Sequence, residues 1–411
     1  MDFDPMLLPP VIRASFFTQI ALAEQVRLAN PQPDYVAMQQ AHPGGLMCPM
    51  DGIAVSFGRE TTDFVLRHHE LFSSAVDMPL GNVRPLIPLN VDPPKHSKYR
   101  KILDPLFAPK RMDAMEADIA ARANKFIDEF VADGECNFSE QFAEQFPSAV
   151  FLGLMGMPWD QMEMFLHLRD GILHPEKIDP AALADFNVRF AVMNTTGQEI
   201  YAYFNEQLDL REANPTDDLL THFITAEVDG DTMTREEVLD LCYLFLIAGL
   251  DTVSDSLTCL FAYLAQHPEQ RQQIVDDPSV IPAAVEELLR WETPVPYGVP
   301  RVATQDVTMP NGTTLAEGTV VTVSYGGANI DPAEYADGFD VRFDRDDNRH
   351  IAFGGGVHRC LGSHLARREL RVALAEWHRR IPHYGIKPGH EALEFPLGLR
   401  HVKDLTLSWK G

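Results

Sequence analysis

The stretch Phe353-Gly354-Gly355-Gly356-Val357-His358-Arg359-Cys360-Leu361-Gly362 constrains this chain more than any other. Three successive glycines let a backbone turn tightly and approach a flat surface with no Cβ in the way. They deliver one cysteine, Cys360, to the mouth of a helix predicted to run to about Arg380. A sulfur there meets unpaired backbone N–H groups and the positive end of the helix dipole, both of which favour thiolate over thiol. His358 and Arg359 add donors and positive charge beside it. No second cysteine lies within reach, so this is neither a zinc site nor a disulfide. A nucleophile, an axial ligand to a metal macrocycle, or a buried free thiol in a glycine-rich turn remain.

Composition narrows the setting. A formal charge of −26 on 411 residues argues against nucleic acid or an anionic membrane as partner. The five cysteines, Cys48, Cys136, Cys242, Cys259 and Cys360, are odd in number and scattered, as in a reducing cytoplasm. The run Met6-Leu7-Leu8-Pro9-Pro10-Val11-Ile12 is too short and too broken by proline for a leader or anchor. The longest apolar run elsewhere, Leu241 to Leu250, stops at Asp251. A soluble, cytoplasmic protein is expected, with no internal repeat and no linker, so one domain over residues 1–411.

Along the chain, Ile53 to Phe57 reads as a strand and Thr61 to His69 as a helix, followed by a long loop from Phe72 to Val91. Asp92-Pro93-Pro94 opens a helix on which His96 and Arg100 share a face. Lys95, Lys98, Arg100, Lys101, Lys110 and Arg111 surround a single acid, Asp104, a local reversal of charge in an acidic protein. Helical periodicity covers Arg111–Phe130, Phe138–Leu154 and two helices between Asp160 and Gln207, while residues 208–232 are polar and turn-rich.

The longest predicted helix runs from about Arg235 to Gln266, capped by Thr234 and Glu237 and stopped by His267-Pro268. A helix of that length spans roughly 48 Å. Its first half is apolar almost all round, so it belongs in the core. In its middle, Ala248-Gly249-Leu250-Asp251-Thr252 places a glycine, an acid and a hydroxyl where a helix tolerates them poorly. Such local failures mark functional sites or polar groups bonded back to the helix. A further helix from Pro282 carries Glu287 and Arg290 on one face. Pro300 to Val323 alternates like short strands around a Pro310-Asn311-Gly312 turn, and a meander at 331–349 leads to the cysteine loop. The fold class is mainly α with a small β-sheet region.

Phe353, Gly356, Cys360 and Gly362 fill the fixed positions of a pattern that resembles the heme-binding signature of the cytochrome P450 superfamily. Ala248 to Thr252 resembles the family's oxygen-activating helix motif, and Glu287 with Arg290 its Glu-x-x-Arg motif, with Arg342 as the partner from the meander. The order is the family's and the resemblance covers essentially the whole chain. It is most similar to soluble bacterial members, including the camphor hydroxylase branch. Arg84 stands where that branch carries a substrate-holding tyrosine, so camphor is not the expected substrate.

The resemblance implies a triangular, helix-rich prism around a buried heme b (iron protoporphyrin IX) ligated by Cys360. It implies heme contacts from Phe353 and Gly354, propionate partners in His96, Arg100, Arg301 and His358, and a proton relay in Asp251 and Thr252. Glu287, Arg290 and Arg342 are then structural. The implied activity is monooxygenation of a small to medium apolar substrate, a terpenoid or related isoprenoid. The walls are expected from Leu86, Leu89, Leu244, Ile247, Ala248, Val295, Val299 and Leu397, with Arg84 nearby. A [2Fe-2S] ferredoxin with its NAD(P)H-dependent reductase is the implied electron donor to a monomeric enzyme, steered by Lys98, Arg100, Lys101 and Arg359. Two rivals are a hydrogen-peroxide-using peroxygenase, in which the acid–threonine pair is replaced, and a heme-based sensor without turnover.

Overall fold

The structure, a computed structural model, describes residue 11, residues 28–228 and residues 230–409. Apart from Val11, the Met6–Ile12 run lies outside the described residues. Helix dominates. In chain order, the helices that bear on the site are α1 (Arg59–Arg67), α2 (Lys95–Leu103), α3 (Pro109–Phe130), α4 (Met162–Leu173), α5 (Phe186–Ala213), α6 (Arg235–Leu250), α7 (Thr252–Gln266), α8 (Ile281–Glu292) and α9 (Ser363–Arg380). The main sheet has five short strands, β1 (Leu46–Met50), β2 (Ile53–Ser56), β3 (Phe72–Ser73), β4 (Arg301–Ala303) and β5 (Val320–Val323), in the order β1-β2-β5-β4-β3. The chain folds as two compact units. One takes the described residues up to Ser74, Met112–Ala143 and those from Thr252 onward; the other takes Ala75–Arg111 and Glu144–Asp251.

In the first unit, β2 and β5 pair in parallel, Val320 opposite Ile53 and Val323 opposite Ser56. β5 also pairs with β4, which sets Arg301 opposite Val321. Alternate residues of these strands are buried with Leu66 of α1, Phe72 and Tyr325. Helix α9 is anchored by Trp377, fully buried, whose ring lies 5.1 to 5.9 Å from those of Phe130, Phe138, Phe142, Phe261, Tyr384 and Trp409. All but the tilted Phe130 pair are edge-to-face, and such packing adds about 0.5–1.5 kcal/mol per pair beyond area burial. The helix that follows the cysteine loop is therefore fixed at its far end.

In the second unit, the loop that starts at Ala75 is latched onto α5 and α6. Tyr243 donates its hydroxyl to the Leu80 carbonyl at 2.5 Å. A Cβ on Gly197 would lie 2.2 Å from the Gly81 carbonyl oxygen, so loop and helix touch backbone to backbone.

Three sequence expectations change. The helix read as continuous from Arg235 to Gln266 is present as α6 and α7, which part at Asp251. Its capping box is complete, with Thr234 and Glu237 each bonding the other's backbone N–H. Length and composition would let this helix cross a membrane, but 72% of its most apolar window is buried inside the protein, as in a core helix. Residues 208–232 are less irregular than read, because α5 continues to Ala213 and Leu219–Thr225 forms a helix. The cause is Arg211, which reaches Asp218 at 3.0 Å and the Gly156 carbonyl at 2.8 Å and so ties a polar stretch into the core. Phe138–Leu154 is a π-turn, Ser139–Ala143, followed by a helix, Gln145–Met155. The Ser139 hydroxyl donates to the Val402 carbonyl and draws the chain out of α geometry there.

Candidate active site

The cysteine loop closes on itself. The Cys360 N–H donates to the Phe353 carbonyl at 2.9 Å, and the Gly354 N–H to that of Ile351 at 2.8 Å. Gly354 and Gly356 have φ of +68° and +64°. A Cβ on Gly356 would come within 1.9 Å of the Leu66 carbonyl oxygen, so this position admits only glycine. Helix α9 starts at Ser363, three residues beyond the cysteine, so Cys360 sits on the approach to the helix rather than in its first turn. Cys136, Cys242 and Cys259 are buried, and burial pushes their thiols up, Cys136 to about 12. Cys360 is exposed.

Two acid–arginine clusters brace this loop. Glu287 of α8 accepts from Arg290 Nε and Nη2, both at 2.8 Å, from Arg345 Nε at 3.1 and 3.2 Å, from Asn348 Nδ2 at 3.0 Å, and from the Arg342 backbone N–H at 3.0 Å. Glu287 and Arg290 are fully buried. The side chain from the meander is therefore Arg345, not Arg342, whose guanidinium pairs with Asp337 and Asp344 instead. Next to it, Glu286 accepts from His350 Nε2 at 2.9 Å and twice from Arg367 of α9 at 2.8 Å. Burial works against ionising Glu286, but these donors outweigh it and hold the carboxyl far below its ordinary range. The Arg367 guanidinium then lies 4.3 Å from the Phe353 ring centroid, a cation–π contact onto the cysteine loop.

On β4, Arg301 is buried and donates Nη1 to the Val299 carbonyl at 2.6 Å. The Tyr325 phenol reports its neighbours: burial raises its pKa, Arg301 opposes the rise and Cys360 adds to it. Tyr325, Arg301 and Cys360 thus share one locality. Tyr325 carried no sequence signal beyond the glycines that make room for its ring, Gly298 and Gly354.

In the second unit, the Asp251 carboxylate is buried and fully engaged: Oδ1 lies 3.2 Å from Arg169 Nε, and Oδ2 accepts from His174 Nε2 at 2.7 Å. Burial disfavours its charge, yet Arg169 and then His174 more than reverse this and hold it below the usual carboxylate range. Neither partner is visible in the sequence around Asp251. Thr252 opens α7 and its carbonyl accepts from the Ser256 hydroxyl. Gly249 is required by packing, since a Cβ there would lie 2.8 Å from the Phe151 ring.

His96, on α2, is buried, and Arg100 donates Nε to Asp104 at 2.7 Å. Arg84 is held by Asp240: its Nε donates at 2.7 Å, Tyr201 donates to the same carboxylate at 2.8 Å, and the guanidinium lies 5.3 Å from the Tyr201 centroid. It latches the loop to α5 and α6. Among the expected walls, Leu86 and Ile247 are buried while Leu244 and Ala248, one turn apart on α6, form its open stripe. Leu397 is a core residue, packed with Tyr35, Met38, Val55 and Phe57. Leu89, Val295 and Val299 are half-buried. The cationic segment is also less bare than it reads, because Lys95 pairs with Glu237, Lys98 with Asp231 and Arg100 with Asp104.

The donor set fits a heme. A soft sulfur stands on a glycine loop braced from behind, with Arg301 and His358 in the same unit as cations or donors for propionates. The comparisons agree. The family profile described as Cytochrome P450 matches residues 50–380. A probable cytochrome P450 127A1 of Sinorhizobium fredii is 34% identical over 351 residues, 85% of this chain and 80% of that protein. A steroid C26-monooxygenase of Mycobacterium tuberculosis is 32% identical over 81% of this chain and 87% of its own length. The crystal structure of CYP109E1 from Bacillus megaterium in complex with testosterone superposes with a TM-score of 0.82 at 26% identity, covering 93% of this chain and 98% of that one. The chain belongs to the cytochrome P450 superfamily of monooxygenases, which carry thiolate-ligated heme b.

Proposed function

We propose that this monooxygenase hydroxylates a small to medium, mainly apolar terpenoid or related isoprenoid. Electrons would come from a [2Fe-2S] ferredoxin and its NAD(P)H-dependent reductase. Cys360 is the heme ligand, and Arg301, His358, His96 and Arg100 serve the propionates. When bound, the heme would supply dioxygen activation, which ligation by a thiolate would favour. Asp251 passes on the proton that this chemistry consumes, and Thr252 orients it. The observation that carries the reading is the open apolar stripe of α6, Leu244 and Ala248, ending at the buried acid Asp251. An apolar wall leading to one ionisable group is the usual form of a small-ligand site. The steroid named for one relative is itself isoprenoid-derived, which supports the substrate class. The presence of Asp251 and Thr252 argues against the peroxygenase reading. That none of the five cysteines forms a disulfide supports a reducing, cytoplasmic setting.

The test is a spectral titration with a panel of terpenoids, steroids and fatty acids. Terpenoids should give the largest low-to-high spin shift and be hydroxylated with reductase and ferredoxin present. A response confined to fatty acids overturns the substrate class, and a spin shift with no product favours a sensor. Thr252→Ala should keep NAD(P)H consumption and divert it to peroxide; unchanged coupling would remove Thr252 from the relay.

A further inference from the structure

The Asp251 carboxylate does not stand alone against the protein interior. It is the inner end of a row of three ionisable groups whose side-chain exposure rises stepwise: Asp251 5%, His174 14%, Glu176 32%. His174 Nε2 meets Asp251 Oδ2 at 2.7 Å, and its Nδ1 faces Glu176 Oε1 at 3.8 Å. His174 ends helix α4, and the one-turn helix Pro175–Ile178 that follows carries Glu176 outward. We propose that His174 is the proton donor to Asp251 and links that buried carboxylate to solvent past Glu176. The inference rests on the reading of Asp251 as the relay acid and adds the residue that recharges it.

The other charges around the imidazole fit this role. Arg169 holds the second Asp251 oxygen at 3.2 Å and pairs with Asp170 at 2.6 Å, so it fixes the carboxylate while being unable to give up a proton. Glu144 lies 4.0 Å from Arg169 and 3.6 Å from Lys177, which also reaches Asp170 at 3.4 Å. Arg189 pairs with Glu176 at 3.3 Å. Among the described residues, His174 is the only partner in contact with Asp251 that can both hold and release a proton. Burial by itself would favour the neutral ring, but the Asp251 charge and hydrogen bond outweigh it and push His174 up to about 10. The imidazolium is the resting form.

The step balances as one proton. The His174 Nε2–H bond breaks and an O–H bond forms on Asp251 Oδ2, neutralising both groups. The protonated carboxyl loses its charge attraction to Arg169 and His174 and is free to turn away. The neutral ring, left with its Nδ1–H, turns its bare Nε2 outward past Glu176 and takes a proton from hydronium or a buffer acid, which leaves as water or the buffer base.

His174→Gln preserves a hydrogen-bond donor but cannot relay. In ferric protein with 15N-labelled histidine, the His174 ring should titrate near 10 and fall toward 6.5 in Asp251→Asn, a readout independent of turnover. In turnover, His174→Gln should be slower than wild type by roughly tenfold or more, with a larger solvent deuterium isotope effect and an unchanged substrate-induced spin shift. His174→Lys, which restores a proton-donating cation, should recover part of the rate. If Asp251→Asn slows turnover while His174→Gln matches wild type in rate, pH profile and isotope effect, the proposal is overturned and the Asp251 reading stands. If Asp251→Asn itself turns over normally, the relay reading fails and the proposal falls with it.

Discussion

Two buried carboxylates, each with an arginine, sit in different units and are held by different kinds of donor. Glu287 accepts from three side chains and a backbone amide, two of the donors being guanidinium groups that never deprotonate. Asp251 is held by one such group and by an imidazole that titrates, and its row of partners runs out towards solvent. A carboxylate saturated with permanent donors has one state and makes a frame. One held in part by a titratable donor has two states, which is what moving a proton requires. The glycine loop that carries Cys360 is braced from the neighbouring Glu286, through Arg367 on Phe353.

The contrast is sharpest in stability. Glu287→Ala strands Arg290 and Arg345 without their anion, and breaking a buried pair this way costs about 3–5 kcal/mol. Urea unfolding should show a loss of that size, whereas Asp251→Asn should lose much less stability and much more turnover. Equal stability losses in the two variants would dissolve the distinction. A smaller effect separates the two arginines of the meander. Arg345→Ala removes a charged hydrogen bond to a buried acid, worth about 1.5–3 kcal/mol. Arg342→Ala removes only a largely exposed ion pair and should be close to neutral. If Arg342→Ala proves the more damaging, the assignment of the partner reverses.

The smallest effect is in pH. The folded pKa of His174 is raised from 6.5 to about 10, so the stability it contributes is complete below 6.5 and is lost as pH rises towards 10. Wild type measured against His174→Gln should show its advantage shrinking across that window. A difference that is flat from pH 6.5 to 10 would mean the pair is not ionic in the folded protein.

The sequence made the frame readable and left the relay half-hidden, for physical reasons. Cys360, Gly356, Glu287 and Arg290 each sit where a local rule fixes them: a positive φ, a fixed spacing, an i, i+3 pair on one helix face. The meander has no period, so which arginine turns inward is decided by loop geometry, and Arg345 could not be told from Arg342. Asp251 announced itself by breaking a helix, but Arg169 and His174 approach it from a different helix. No spacing encodes that meeting. Likewise no spacing shows that Asp240 and Tyr201, far along the chain, meet the Arg84 guanidinium.

The claim on which the rest depends is that the braced loop presents Cys360 to the heme iron as a thiolate. The reduced carbon monoxide complex of the wild-type protein should show the strongly red-shifted Soret band of thiolate ligation. Cys360→His should lose that band while still retaining heme. A red-shifted band that survives in Cys360→His would contradict the account.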